Sequence, residues 1–272
     1  MNKKFLSPNA YWTKLKRLIA GAILHLGIPI EVKVNVGGHE IKFVARSYLE
    51  YFLRAQEGYK REPLTTRWVS EYIRKDDIVY DVGANVGTFS LLMAKVVAQG
   101  QGMVYAFEPE SNNFSSLNQN IFRNNLTENI MPLPIACADQ TRVANFYLSS
   151  VTSGAALHGI DRPESEGCKF VPQHIQGVFV SSLDELVFKF GLPTPSHIKI
   201  DVDGAEKMVV MGMKRLMALG QLSSVLIEID ADGDAEIVQS QFLSAGFEEV
   251  SREQWPGKNV FNVLFCNKSQ SN

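Results

Sequence analysis

A small set of residues has the type and spacing to hold a ligand. Asp81, Gly83, Asn85 and Gly87 lie within "VYDVGANVGTFS", Glu108 is the first glutamate of "VYAFEPE", and Asp139 closes "PIACAD". Glycine removes the side chain where a backbone must pass close to something else. Asn85 stands where such loops often carry another glycine, and asparagine tolerates positive φ. Asp81, two residues before the first glycine, suits the ammonium of an amino-acid ligand better than a pyrophosphate. Glu108 can accept both hydroxyls of an adenosine ribose, and Asp139 is expected where the adenine amino group would lie.

These residues need elements to bring them together. The sequence predicts strands at 78–82, 103–107, about 130–136, 197–201 and 225–229. Helices are expected between them, at about 87–98, 112–124, 181–190, 205–219 and 235–245. Such alternation implies an α/β domain with a mostly parallel sheet covered on both faces. Ligands of such sheets bind beyond the carboxyl ends of the strands, where the strand order reverses. The chain ends differently, with "FEEVSRE" and "VFNVLFCN" joined by the short turn "WPGKN", so these last two strands must be antiparallel. Residues 140–180 interrupt the rhythm: "VANFYLSS" reads as a strand and "SGAALHGIDRPESEGC" as a polar excursion over the strand ends.

The stretch G-A-N-V-G is not the G-x-G-x-x-G of dinucleotide-binding domains, and an antiparallel terminal hairpin is unusual for them. In order and spacing, "VYDVGANVGTFS", "VYAFEPE", "PIACAD", "HIKIDVDGAE" and "VLIEID" resemble the FkbM-type methyltransferase family over roughly residues 60–266. The resemblance implies a Rossmann-like methyltransferase fold with a seven-stranded sheet and an antiparallel C-terminal hairpin. It also implies S-adenosylmethionine as cofactor and transfer of its methyl group to a hydroxyl, often of a sugar, glycan or natural product. Asp203 departs from the family, which often has glutamate there. An NAD-dependent oxidoreductase and a non-catalytic cofactor-binding interaction module are the alternatives.

For methyl transfer the protein mainly supplies alignment, and a hydroxyl acceptor gains from a general base. Asp201, ending the fourth strand, is the candidate base. His197, Lys199 and Asp201 share one face of that strand, but His197 stands at the wrong end for catalysis. Lys199 is out of place on a central strand and is expected to pair with Glu228, equally out of place on the next. Asp201, Lys199 and Glu228 therefore form the expected catalytic set. Asp203, Gly204, Ala205 and Glu206 fit a capping box for the helix ending near Gly220. No metal is expected, although Asp201 and Asp203 could hold a divalent ion in a minority reading. His158 is a second conceivable base, read as an exposed loop residue.

The first 75 residues form an appendage to a cofactor-binding domain at 76–272. Its parts are a helix, a β-hairpin turning at Gly37 and Gly38, and helices in "SYLEYFLRAQEGY" and "EPLTTRWVSEYIRK". In the first helix Trp12, Leu15, Ile19, Ala22 and Leu26 share a face expected to pack on the domain, or else to lie on a membrane surface. Its apolar run is too short to span a bilayer. A net charge of −2, with 21% charged residues, speaks against a nucleic-acid binder. Cys137, Cys168 and Cys266 lack metal-ligand spacing and read as free thiols of a cytoplasmic protein.

Overall fold

The computed structural model describes residues 8–270, with side chains from Lys14 onward, so Trp12 lies outside the described side chains. Helix α1 (Pro8–His25) leads into a hairpin of β1 (Ile30–Val36) and β2 (His39–Ala45). A π-helical segment follows at Leu49–Gln56, then α2 (Gly58–Arg61) and α3 (Pro63–Tyr72). Pro63 sits in the first turn of α3, where its missing N–H has no helical partner to lose. Among the described side chains of α1, Ala20 and Leu24 are buried, while Leu18, Ile19 and Ala22, and Leu26 just beyond the helix, are exposed. The face expected to pack inward is thus turned outward.

The main domain alternates as predicted: β3 (Ile78–Val82), α4 (Thr88–Val97), β4 (Met103–Phe107), α5 (Ser111–Arg123), then β5 (Ile130–Leu133). The single third strand expected at about 130–136 is two. Pro134 separates β5 from β6 (Ile135–Cys137), and β6 leaves the main sheet to start a second one. That second sheet takes up the expected polar excursion. It contains β7 (Arg142–Leu148), β8 (Gly159–Ile160) and β11 (His174–Ser181), in the order β6-β11-β7-β8, while β9 (Glu164–Ser165) and β10 (Cys168–Lys169) form a small ribbon. Strand β11 was not predicted: Gly177 interrupts it, and only its second half alternates buried and exposed positions.

Beyond it run α6 (Leu183–Phe188), β12 (His197–Ile200), α7 (Glu206–Met211), α8 (Lys214–Ala218), β13 (Ser224–Asp230), α9 (Ala235–Ser244), β14 (Phe247–Gln254) and β15 (Val260–Asn267). One helix was expected where α7 and α8 stand. The break falls at Gly212, where a Cβ would lie 2.1 Å from the Ala138 carbonyl oxygen. Asp184 then caps the new N-terminus by accepting from the Arg215 and Leu216 N–H groups at 3.0 and 2.8 Å.

The main sheet has seven strands in the order β14-β15-β13-β12-β3-β4-β5, the last pair of connections at the β14 edge antiparallel and the rest parallel. This is the Rossmann-like arrangement expected. Order reverses at β3, so the carboxyl ends of β3, β4 and β12 open on one crevice.

Candidate active site

Gly83 and Asp201 leave neighbouring strands side by side at that crevice. Gly83 has φ 89°, and a Cβ on it would stand 1.7 Å from the Asp201 carbonyl oxygen. Its glycine is therefore required by the adjacent strand exit rather than by a ligand. Gly87, φ 90°, precedes α4 and faces Leu117, whose Cδ1 would be 2.7 Å from an added Cβ. Asn85 takes φ 52°, as its tolerance of that region suggested. Its side-chain amide donates to the Ala155 carbonyl at 2.8 Å, binding the loop to the second sheet's connection. The N–H groups of Gly83 and Ala84 both donate to Phe107 O, and that of Asn85 to Glu108 Oε2. A loop whose amides are spent in this way is no pyrophosphate cradle.

Glu108 is buried, with Oε2 accepting from Asn85 N at 2.7 Å and Oε1 from Glu110 N at 2.8 Å. Each oxygen keeps a further lone pair for a ligand hydroxyl. Burial raises its pKa to about 8 against the lowering effect of the two N–H donors. Asp81 is 1% exposed; Ser90 Oγ donates to its Oδ2, while Oδ1 has no partner among the described residues. Burial raises its pKa and the nearby Lys199 charge opposes the rise. Asp139 is exposed on the turn after β6 and lines neither cavity described below, so the expected contact with an adenine amino group has no geometric support.

Lys199 is buried, but its partner is not Glu228. Its Nζ donates to Asp201 Oδ2 at 2.7 Å. The strand registers explain the correction: Lys199 stands opposite Asp81 and Leu226, and Glu228 lies two residues further along β13, opposite Asn262. Burial pulls the Lys199 pKa down, but the charges of Asp201, Glu62 and Asp81 outweigh it and hold the ammonium above the ordinary lysine range. Glu228 lines neither cavity, and burial together with the charge of Asp201 raises its pKa well above normal.

The capping box expected beyond Asp201 is only half formed. Glu206 Oε1 reaches back to the N–H groups of Val202 and Gly204 at 3.1 and 3.2 Å. Asp203 instead takes φ 57° and accepts from Leu157 N at 2.7 Å. Among the described residues no group of three or more His, Cys, Asp or Glu is arranged to hold a metal ion.

Two adjoining cavities open on the crevice, sharing Arg54, Gly83, Asn85 and Asp201. Glu108, Cys137, Phe146, His158, Ile160 and Met208 line the larger. Arg61, Glu62, Asp81, Lys199 and Trp255 line the smaller. Arg54, Arg61, Glu62 and Trp255 were not singled out from the sequence, because they come from the appendage and the terminal hairpin. Trp255, an indole in an otherwise polar turn, was the one available signal. Arg61 lies over its ring at 5.1 Å, and its Nε1 is buried without an acceptor among the described residues. Glu62 is buried, accepts from Thr65 Oγ1 at 2.9 Å, and has its pKa raised by burial to about 7.

These residues fit S-adenosylmethionine. Glu108 and the apolar walls of the larger cavity suit an adenosine, and the orphaned Oδ1 of Asp81 suits an ammonium at the junction with the smaller cavity.

Comparison with known proteins agrees. A family model described as the methyltransferase FkbM domain matches residues 81–249, more than half of the chain. The hexuronic acid methyltransferase AglP of Haloferax volcanii is 28% identical over 225 residues, covering 81% of this chain and 84% of that protein. The AMB antimetabolite synthetase AmbE of Pseudomonas aeruginosa is 23% identical over an alignment of 251 residues that covers 80% of this chain and 11% of that one. Among solved structures, a methyltransferase FkbM from Methylobacillus flagellatus superposes with a TM-score of 0.50 at 16% identity, over 71% of this chain and 44% of that chain. With its fold, its crevice and more than half of its length in agreement, this chain belongs to the FkbM family of S-adenosylmethionine-dependent methyltransferases.

Proposed function

We propose that this methyltransferase is an O-methyltransferase acting on a sugar or glycan hydroxyl, with an acidic sugar as the preferred acceptor. The observation that carries this reading is the composition of the smaller cavity. Asp201 lines it together with two arginines, Arg54 and Arg61, and the indole of Trp255. Aromatic rings pack against sugar faces, Trp N–H groups seek a partner when buried, and guanidinium groups recognise carboxylates. The hexuronic acid named for the relative in Haloferax volcanii supports the same class of acceptor.

When bound, S-adenosylmethionine supplies a methyl group on a sulfonium whose departure leaves a neutral thioether. Glu108 holds the ribose and Asp81 the ammonium. Asp201 accepts the proton of the attacking hydroxyl. Lys199, kept protonated by the surrounding acids, fixes the Asp201 carboxylate through its 2.7 Å bond and acts as a positioning residue. Glu228 has no part in this scheme. The outward face of α1 supports an extension of the reading to a lipid-carried acceptor: an apolar stripe lies between the exposed Lys14 and Lys16.

The test is transfer of a labelled methyl group to a panel of free glucuronides and the matching glucosides. Transfer favouring the glucuronides is expected. Asp201→Asn should lower kcat by ~10²–10⁴-fold while S-adenosylhomocysteine still binds. Transfer to no sugar hydroxyl, or an unchanged rate in the variant, would reject the reading.

A further inference from the structure

His158 was expected to be an exposed loop residue and is instead 7% exposed, on the connection between β7 and β8 and in the wall of the larger cavity. Its tautomer follows from its neighbours. The Ser149 N–H donates to Nδ1 at 3.2 Å, and a backbone N–H can only donate, so Nδ1 carries no proton. The Ser149 hydroxyl donates to the Ala156 carbonyl at 2.9 Å and lies 3.4 Å from the same Nδ1, a longer contact than that of the N–H. A neutral imidazole in this setting carries its proton on Nε2. Nε2 is buried and has no partner among the described residues. Burial, with a smaller effect from the Arg54 charge, holds the pKa at about 4, so the ring stays neutral near pH 7. With Nδ1 occupied and Nε2 protonated, His158 cannot serve as the second base.

An orphaned buried donor destabilises the fold unless something accepts from it. Its surroundings indicate what that is. The imidazole meets the edge of Phe146, ring centroids 5.6 Å apart, and Phe146 packs in one apolar cluster with Ala136, Ile160 and Met208. This is the apolar part of the cavity, where a flat heterocycle would lie, while Glu108 provides the place for a ribose. Asp139, the residue expected to recognise the base, stands outside.

Building on the S-adenosylmethionine reading of this cavity, we infer that His158 is the adenine-recognising residue, its Nε2–H donating to a ring nitrogen of the base. The connection between β7 and β8 would then complete the nucleoside site, beyond any role as a cover.

Calorimetric titration tests this with S-adenosylhomocysteine and its 1-deaza, 3-deaza and 7-deaza adenine analogues, on the wild-type chain, His158→Phe and His158→Gln. Loss of one hydrogen bond should weaken the parent ligand roughly tenfold in the Phe variant. The Gln variant, which retains an N–H donor, should recover part of it. One deaza analogue should be weakened on the wild type and lose nothing further in the Phe variant. Equal binding of all four ligands to the wild type would overturn the inference, as would one uniform loss for all four in the Phe variant. Should the Phe variant fail to fold, nitrogen NMR of the wild type decides. A protonated Nε2 whose resonance moves on ligand binding but is unmoved by the critical deaza analogue supports the assignment, and an Nε2 indifferent to the parent ligand refutes it. If the wild type does not bind S-adenosylhomocysteine, the cofactor reading itself fails and this inference with it. Binding without the His158 effects removes only the inference.

Discussion

Glu108 shows how a residue can be legible in a sequence while its energetics are not. An acid at the end of the second strand of such a domain is readable as a ribose acceptor. That burial lifts its pKa to about 8 depends on surroundings brought together only by folding. The consequence is a linkage between ligand and proton. A carboxyl receives two hydroxyl donors best when ionised, so binding of S-adenosylhomocysteine should expel a proton from Glu108. Below pH 8 the affinity should rise with pH, by up to about tenfold per unit, and level off above it. Calorimetry at pH 7 in two buffers of different ionisation enthalpy would measure the proton released, and Glu108→Gln should abolish it. Equal heats in both buffers would mean that the free protein already holds Glu108 ionised. Gly83 carries a related lesson: glycine was rightly expected to matter, but its Cβ is excluded by Asp201 O, a residue more than a hundred positions away. Lys199 likewise was recognisable as a misplaced charge, and its partner was mistaken because the register sets it opposite Leu226, two residues short of Glu228, while Asp201 on its own strand lies within reach.

At the scale of elements, the strands and helices with strong periodicity stand where the sequence placed them. Differences arise where one contact overrides a local pattern, as at Gly212 against Ala138, or where proline divides a strand, as at Pro134. The first helix differs in another way. Both faces of α1 carry apolar residues, and the face with small or single large groups, Ala20 and Leu24, is the buried one. Leu18, Ile19 and Leu26 are 64%, 49% and 74% exposed, with Ile28 just beyond the helix at 53%. No acidic residue precedes Glu31. No described helix is long and apolar enough to cross a membrane, but an apolar stripe with lysines on both sides suits the plane of an anionic bilayer, where each near-surface lysine contributes about 1 kcal/mol. The chain should therefore sediment with vesicles containing phosphatidylserine, much less with phosphatidylcholine alone. Leu18→Ser combined with Leu26→Ser should release it without altering methyl transfer to a water-soluble acceptor. Failure to sediment, or a shift to dimers in gel filtration that the same substitutions abolish, would assign the stripe to another partner.

For the whole molecule, the segment that precedes β3 and the sheet domain that follows it share one core. Ile41, Phe43, Leu64 and Trp68 of the appendage lie in the same buried cluster as Leu91, Val104 and Leu117 of the main domain. Trp68 Nε1 donates to Ser224 Oγ at 2.8 Å, Tyr59 OH to Thr88 O at 2.6 Å, and the Asn120 side chain accepts from Val44 N at 2.9 Å. The site divides along the same line. The half proposed to hold the cofactor was legible because glycines and acids cluster at successive strand ends, each within a few residues of the element that positions it. The half proposed to hold the acceptor was not, because Arg54, Glu62 and Trp255 meet only after the appendage and the terminal hairpin have docked. A fragment of residues 76–272 should therefore fail as an independent domain, although the strand order of its sheet is complete. Removing even one large buried aromatic such as Trp68 costs about 3–5 kcal/mol, against a total stability of ~5–15 kcal/mol, and the fragment loses Phe43 and Tyr59 as well. It should bind a hydrophobic dye, melt without a cooperative transition and show no stabilisation by S-adenosylhomocysteine. A cooperative melt shifted upward by that ligand would instead make the appendage a separable cover that serves the acceptor alone.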